Sequence, residues 1–171
     1  MIKINNVNKY YYKGKENEIH VINNTSLDFP DNGLVVLLGT SGSGKTTLLN
    51  VLSGLDSIDS GTITFDEDTM RSKYSSKWDS IRNRNIGYIF QNYNLLNDRS
   101  VYRNMELVLK ISGITDKAEI NRRINYSLSC LNMENYKYRL ARELSGGQQQ
   151  RVTIASTLSK NPKVIIADEP T

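Results

Sequence analysis

The 171-residue chain is predicted to be α/β, with helices on the faces of a parallel sheet and antiparallel strands ahead of it. Three observations carry that prediction. The apolar run Leu34-Val-Val-Leu-Leu38 leads through a glycine-rich turn, Gly39 to Lys45, into a helical stretch from Thr46 to Leu55. Two more short apolar runs, Ile86 to Phe90 and Val164 to Ala167, are separated by long helical periodicity. Strand, turn, helix, inserted helices, helix, strand is the order of a parallel sheet with crossovers on its faces. Ligands of such sheets bind beyond the carboxyl ends of the strands. Gly39 to Lys45, Gln91 and Asp168 all fall at such ends, so they are expected to converge on one pocket.

The elements follow in order. Met1 to Ile4 alternates as a strand does, and Ile19 to Ile22 with Thr25 to Phe29 is further strand material. Between them Tyr10 to Asn17 is polar and contains Gly14, so a loop is expected. Pro30-Asp-Asn-Gly33 has turn chemistry. Gly54 is placed to end the helix that starts near Thr46. Asp59 to Phe65 reads as a turn and a short strand that joins the first strands in an antiparallel sheet. Ser72 to Asn83 is charged and amphipathic, with Trp78 and Ile81 on one side. From Asn92 to Leu140 the signal is helical. Val101, Met105, Val108 and Ile111 form one apolar stripe, and Ile120, Ile124, Leu128 and Leu131 another. Ser145-Gly-Gly147 interrupts, and Gln148 to Leu158 resumes a helix. Val164 to Ala167 then closes on Asp168-Glu169-Pro170-Thr171.

Composition excludes several classes. The net charge of +4, from 22 basic and 18 acidic residues, is dispersed, which marks a solvated surface and not a nucleic-acid patch. Cys130 stands alone in the apolar helical setting Ser127 to Leu131; it cannot form an intrachain disulfide, which fits a reducing compartment. No basic leader precedes an apolar segment, and no apolar run is long enough to span a bilayer. A soluble, cytoplasmic protein is expected, and any membrane work would need another chain. His20, the single histidine, lies between Ile19 and Val21 and is read as an outward strand residue.

The chemistry concentrates in Gly39-Thr40-Ser41-Gly42-Ser43-Gly44-Lys45-Thr46-Thr47. Its spacing, G-x-x-x-x-G-K-[ST] between a strand and a helix, is that of a nucleoside-triphosphate phosphate loop. Glycines at 39, 42 and 44 permit turn conformations that aim several N–H groups inward. Those donors and the positive end of the following helix make an anion site. Lys45 adds a cation for the outer phosphates, and the Thr46 hydroxyl suits a magnesium ion. Asp168 and Glu169 emerge from the end of an apolar strand. In one reading Asp168 holds the water shell of magnesium and Glu169 orients the attacking water as a general base; in the other they are a helix cap and a first-turn acid. Gln91 ends its strand with an amide able to touch both metal and water, or is plain surface. Leu144-Ser145-Gly146-Gly147-Gln148 is a second glycine-flexed turn at a helix start. It is either another anion site, redundant unless it serves a second chain's nucleotide, or a plain serine cap. Tyr10, Tyr11 and Tyr12 offer either packing or a flat face for an adenine ring.

Taken in this order, Gly39 to Thr46, Gln91, Leu144 to Gln148 and Val164 to Glu169 resemble the nucleotide-binding cassette of ABC transporters. Ser41 to Leu49, Ile86 to Leu96 and Leu144 to Arg151 resemble the branch of macrolide-export, lipoprotein-release and peptide-antibiotic-resistance cassettes. The resemblance implies a P-loop NTPase core with an N-terminal antiparallel β subdomain and an inserted α-helical subdomain. Within one domain spanning 1–171, it places the antiparallel part at 1–33 and 61–66. The core falls at 34–60, 84–91 and 145–171, and the helical part at 92–144.

The same resemblance implies roles. ATP and Mg2+ would be the cofactors. Lys45 and the amides of Gly39 to Thr47 would bind phosphates, Thr46 and Gln91 the magnesium, Asp168 its hydration shell, and Glu169 the water. Ser145, Gly146, Gly147 and Gln148 would complete the site of a second cassette in a head-to-tail homodimer with two ATP molecules between the copies. Hydrolysis would pass motion to an integral membrane permease through Asn92 to Leu96, on the inner face of the cell membrane. Lys9-Tyr10-Tyr11 fits the K-x-Y of the adenine loop; Tyr12 also fits an ungapped alignment. The family continues past the strand bearing Asp168 and Glu169 with a partner-contacting loop, more sheet and a switch histidine. By this resemblance the C-terminal part of the fold is missing, an edge of the sheet is exposed, and turnover by the chain itself is left open. Export or antimicrobial-peptide resistance is the expected setting, with an ATPase regulating cell-wall or division machinery, or a nucleotide-binding fragment without turnover, as the alternatives.

Overall fold

The computed structural model describes residues 2–70 and 76–169. Met1, the 71–75 part of the amphipathic segment, and Pro170 and Thr171 lie outside the described residues. The chain forms two compact units, Met1–Asp79 and Ser80–Thr171.

The first unit is built on β1 (Ile2–Tyr11), flanked by β2 (Ile19–Asp28) and β3 (Ser60–Phe65), with β4 (Asp68–Met70) beyond β3, all antiparallel. β1 reaches through Tyr10 and Tyr11, so the predicted loop there is shorter than Tyr10 to Asn17. The alternating pattern buries Ile2 and Ile4, and then Val7 and Lys9. That change from even to odd positions occurs where the pairing register shifts, next to Asn6 at φ 49°. One extra residue in a strand reverses which side chains face the core. Helix α1 (Lys45–Ser53) ends at Gly54, as predicted, with the Gly54 N–H on the carbonyls of Asn50 and Val51. Trp78 lies against that glycine: a Cβ there would meet its ring at 3.3 Å.

Leu34 to Leu38 departs from expectation. It is not a strand, and Leu34 and Leu38 are 88% and 90% exposed. A strand exists only by pairing, and among the described residues no other segment forms a ladder with this one.

Helix α2 (Ser76–Asn85) begins in the last residues of the first unit and leads, in the second, into β5 (Ile86–Ile89), which pairs in parallel with β6 (Val164–Ala167), Gly87 opposite Ile165 and Ile89 opposite Ala167. The predicted parallel pairing is present. Trp78 and Ile81 of α2 are both buried, as its one-sided pattern required. Helices α3 (Val101–Ile111), α4 (Lys117–Ser129) and α5 (Gly146–Ser159) share a core of Val101, Met105, Leu109, Ile120, Ile124, Leu128, Met133, Leu144, Val152 and Ala155. Residues 92–100 are not helical, and the α3 stripe runs through Leu109, leaving Ile111 exposed at the last turn. Gly87 lets α5 approach the sheet, since a methyl there would overlap the Thr157 methyl. Cys130 is exposed at the end of α4 and not within an apolar setting, because the core-facing positions of that helix are taken by Ile120, Ile124 and Leu128. No described helix is long and apolar enough to cross a membrane.

Candidate functional site

In the first unit the phosphate loop curls tightly. The Ser43 N–H donates to the Thr40 carbonyl at 3.2 Å, and Gly42 and Gly44 hold φ of 78° and 92°, which residues with a Cβ adopt only with strain. Gly39 does not use that freedom. It is small because a Cβ would come within 2.6 Å of the Ser43 hydroxyl. Gly44 caps α1 without a side-chain oxygen, and no acidic residue occupies the first turn. The helix therefore presents its N-terminal amides and dipole to an incoming anion. Lys45 Nζ donates to the carbonyls of Gly39 and Thr40, both at 2.9 Å. The ammonium thus stays over the loop it would share with phosphates.

The adenine candidates separate. Tyr11 is held close to α1: its hydroxyl lies 3.4 Å from the Thr47 hydroxyl and 3.4 Å from Asp56 Oδ2. Tyr12 is 57% exposed at φ 55° and faces solvent. Tyr10 lies on the other face of the strand, stacked on the outward His20 with ring centroids 3.9 Å apart.

In the second unit the ends of β5 and β6 meet. Asp168 N–H donates to the Ile89 carbonyl at 3.0 Å, which extends the parallel ladder by one step. Gln91 Nε2 donates to Glu169 Oε2 at 2.8 Å. Two residues far apart in the chain, both singled out for water and metal, are thus in direct contact. Burial, and then the nearby Asp168 carboxylate, push the Tyr88 phenol up to about 12.

The Ser145 turn is not a glycine-flexed loop. Gly146 and Gly147 are the first residues of α5 and keep ordinary φ. Ser145 Oγ accepts from the Gln148 N–H at 3.4 Å while Gln148 Oε1 accepts from the Ser145 N–H at 2.9 Å. This reciprocal capping box stiffens the turn, and Ser145, Gly146 and Gly147 are all exposed. Around a Cβ at Gly147 nothing lies within 4 Å, whereas Gly146 sits under the Tyr93 hydroxyl.

Sequence reasoning missed the side chains that hold the 91–100 loop. Thr153 Oγ1 donates to the Tyr93 carbonyl at 3.0 Å. The buried Asn104 amide accepts from Leu96 N–H at 2.7 Å and donates to the carbonyls of Leu96, Arg99 and Ser100. A polar residue inside an apolar helical stripe is the signal that would have found Asn104.

Set beside known proteins, the chain matches the ABC transporter family model over residues 22–171. It belongs to the ABC transporter family. Its cassette is 39% identical over 171 residues to an uncharacterized ABC transporter ATP-binding protein of Bacillus subtilis, YknY, covering 100% of this chain and 74% of that one. It is likewise 39% identical to the methionine import ATP-binding protein MetN of Vibrio vulnificus, covering 100% of this chain and 49% of that one. The dimeric, post-hydrolysis structure of the ATP-binding cassette MJ0796, bound to ADP and Pi, superposes with a TM-score of 0.91 at 35% identity. That match covers 100% of this chain and 75% of MJ0796. The predicted P-loop cassette fold is therefore the one that the match shows, and the ADP and Pi of the post-hydrolysis state are those of MJ0796.

Among the described residues no three of His, Cys, Asp and Glu gather to hold a metal. Taken unit by unit, Thr46 offers a hydroxyl in the first, and Gln91 and Asp168 offer an amide oxygen and a carboxylate in the second, oxygens of the hard kind that magnesium takes.

Proposed function

We propose that this cassette binds Mg-ATP between two copies of itself arranged head to tail, and drives an integral membrane permease. The observation that carries the reading is the capped, exposed turn at Ser145 to Gly147, a stiff helix start left open to another molecule in a chain whose separate phosphate loop suits the nucleotide. In this reading Lys45 and the amides of Gly39 to Thr47 bind the phosphates, and Tyr11 stacks on adenine. Thr46, Gln91 and Asp168 hold the magnesium, which would neutralise the charge on the outer phosphates. Glu169 polarises the attacking water, with the Gln91 amide fixing its carboxylate. Ser145, Gly146, Gly147 and Gln148 close over the partner's nucleotide. The subdomain limits implied by the resemblance (1–33 with 61–66, the core at 34–60, 84–91 and 145–171, and 92–144) belong to the same reading. So does passage of motion through Asn92 to Leu96. The cassette would sit on the cytoplasmic face of the membrane through its permease, without nucleic acid. Export or antimicrobial-peptide resistance is supported by Ser41 to Leu49, Ile86 to Leu96 and Leu144 to Arg151; the import protein among the relatives supports transport and not its direction.

The test is Glu169→Gln, which removes the base and keeps the shape. Gel filtration with Mg-ATP should show a dimer that Gly147→Ala abolishes, because the added methyl occupies space that is open in the single chain and needed by the partner. Monomer alone in the Glu169→Gln protein would remove support for the sandwich.

A further inference from the structure

Beside Tyr11 the buried Lys9 forms an ion pair with the half-buried Asp56. The strand bulge near Asn6 places Lys9 on the core face, where its side chain is 9% exposed. A buried ammonium must be fully paired, and Lys9 Nζ donates to Asp56 Oδ1 and to the Ser57 carbonyl, each at 2.9 Å. It also lies 5.3 Å from the Tyr11 ring centroid, within cation–π range. Asp56 accepts in turn from the Ser57 N–H at 2.7 Å, and its other oxygen faces the Tyr11 hydroxyl. The tie continues upward, with the Tyr10 N–H on Asp59 Oδ2 at 2.7 Å and the Asp59 N–H on the Asn8 carbonyl at 2.9 Å. The segment that follows α1 is thereby fastened to the strand that carries Tyr11.

We infer that Lys9 and Asp56 are positioning residues: the ion pair fixes the angle and depth of the Tyr11 ring beside Thr47, and so sets how strongly a purine base is held apart from its phosphates. The ring is constrained at both ends, its face by the Lys9 ammonium and its hydroxyl by Asp56 and Thr47. A base stacked on a ring so fixed need not order it. This rests on the reading that Tyr11 is the base platform.

The experiment uses the full chain with two ligands, Mg-ATP and inorganic tripolyphosphate with magnesium, each titrated by calorimetry. Lys9→Met and Asp56→Asn should weaken ATP about 5-fold, the scale of one aromatic stacking contact, while tripolyphosphate stays within about 2-fold. Lys9→Arg should keep most of the ATP affinity, because it restores the cation. The ratio of the two affinities is independent of the folded fraction, so a partly unfolded variant still reports. Equal losses for both ligands would mean that the pair only supports the fold, and no loss for either would mean that it does not hold the ring; each overturns the inference. Tyr11→Ala separates the underlying reading. If it leaves the ATP-to-tripolyphosphate ratio unchanged, the base platform itself is wrong, whereas a drop there without one in Asp56→Asn faults the positioning alone.

Discussion

Gly44 and Ser145 each stand at the N-terminus of a helix, yet they begin it by different means. Gly44 begins its helix by backbone alone, in the left-handed region and with no capping side chain. Four of the five residues leading into it, Leu34, Val35, Val36 and Leu38, are exposed, and Lys45, next to Gly44, rests on the carbonyls of its own loop. Ser145 begins its helix with side chains, closing the start through the capping box with Gln148, over a helix whose Val152 and Ala155 are fully buried. The first arrangement leaves amides for a ligand to complete. The second is complete before any ligand arrives, and what it offers is a stiff, bare surface at Gly147. A site that must grip and release benefits from the former; a surface that must fit another molecule's site benefits from the latter.

Two substitutions break the comparison from opposite sides. Lys45→Ala should weaken ATP binding about 100-fold or more, since each charge-assisted hydrogen bond of the ammonium is worth ~1.5–3 kcal/mol. The ligand-free melting temperature should stay nearly constant, because Lys45 supports only its own loop. Calorimetric titration and thermal unfolding of the same samples check both halves. Unchanged ATP affinity would remove the phosphate loop from the site. Ser145→Ala should do the reverse, costing about 1 kcal/mol of stability through the lost cap, with ATP affinity of the single chain unchanged. Chemical denaturation measures the first and titration the second. Loss of nucleotide affinity in the single chain would contradict the assignment of this turn to a partner's nucleotide.

How far these features were legible depended on the range of the interaction that makes them. The phosphate loop and the Gly54 terminator follow from local spacing, so they could be read directly, whereas the parallel pairing of β5 and β6 was inferred from the order of strands and helices. The Gln91–Glu169 hydrogen bond could only be suspected, since it joins two strand ends through a sheet that the chain had first to form. Leu34 to Leu38 has strand composition, but pairing is not a local property, and the structure leaves it without a ladder. Lys9 was hidden for a subtler reason. A period of two counted from Ile2 puts position 9 outward, and only the bulge beside Asn6 turns it in. Gly146 and Gly147 looked like a break because glycine is a poor helix former, whereas the capping box starts the helix with them inside it.

The smallest expected effect tests whether the stiffness beneath Ser145 comes from packing or from surface charge. Glu119, in the first turn of α4, is held at about 2, down from 4.5, chiefly by hydrogen bonds from Arg122 and then Arg123, at 2.7 and 2.6 Å. A carboxyl lowered in the folded state contributes stability above its unfolded value, and that contribution is lost as pH falls from 4.5 toward 2. The ion pairs stand in water, so salt screens them and the gain is small. Glu119→Gln should therefore leave the melting temperature at pH 7 almost unchanged, lower it slightly in low salt, and flatten its decline between pH 4.5 and pH 2. Thermal unfolding at several pH values, with and without added salt, checks this. A large loss at neutral pH that salt reproduces in the unsubstituted chain would mean that charge, and not the buried contacts of Ile120, Ile124 and Leu128 with α5, keeps the helical layer rigid. The contrast between a cradle awaiting its ligand and a turn made stiff by its core would then have to be redrawn.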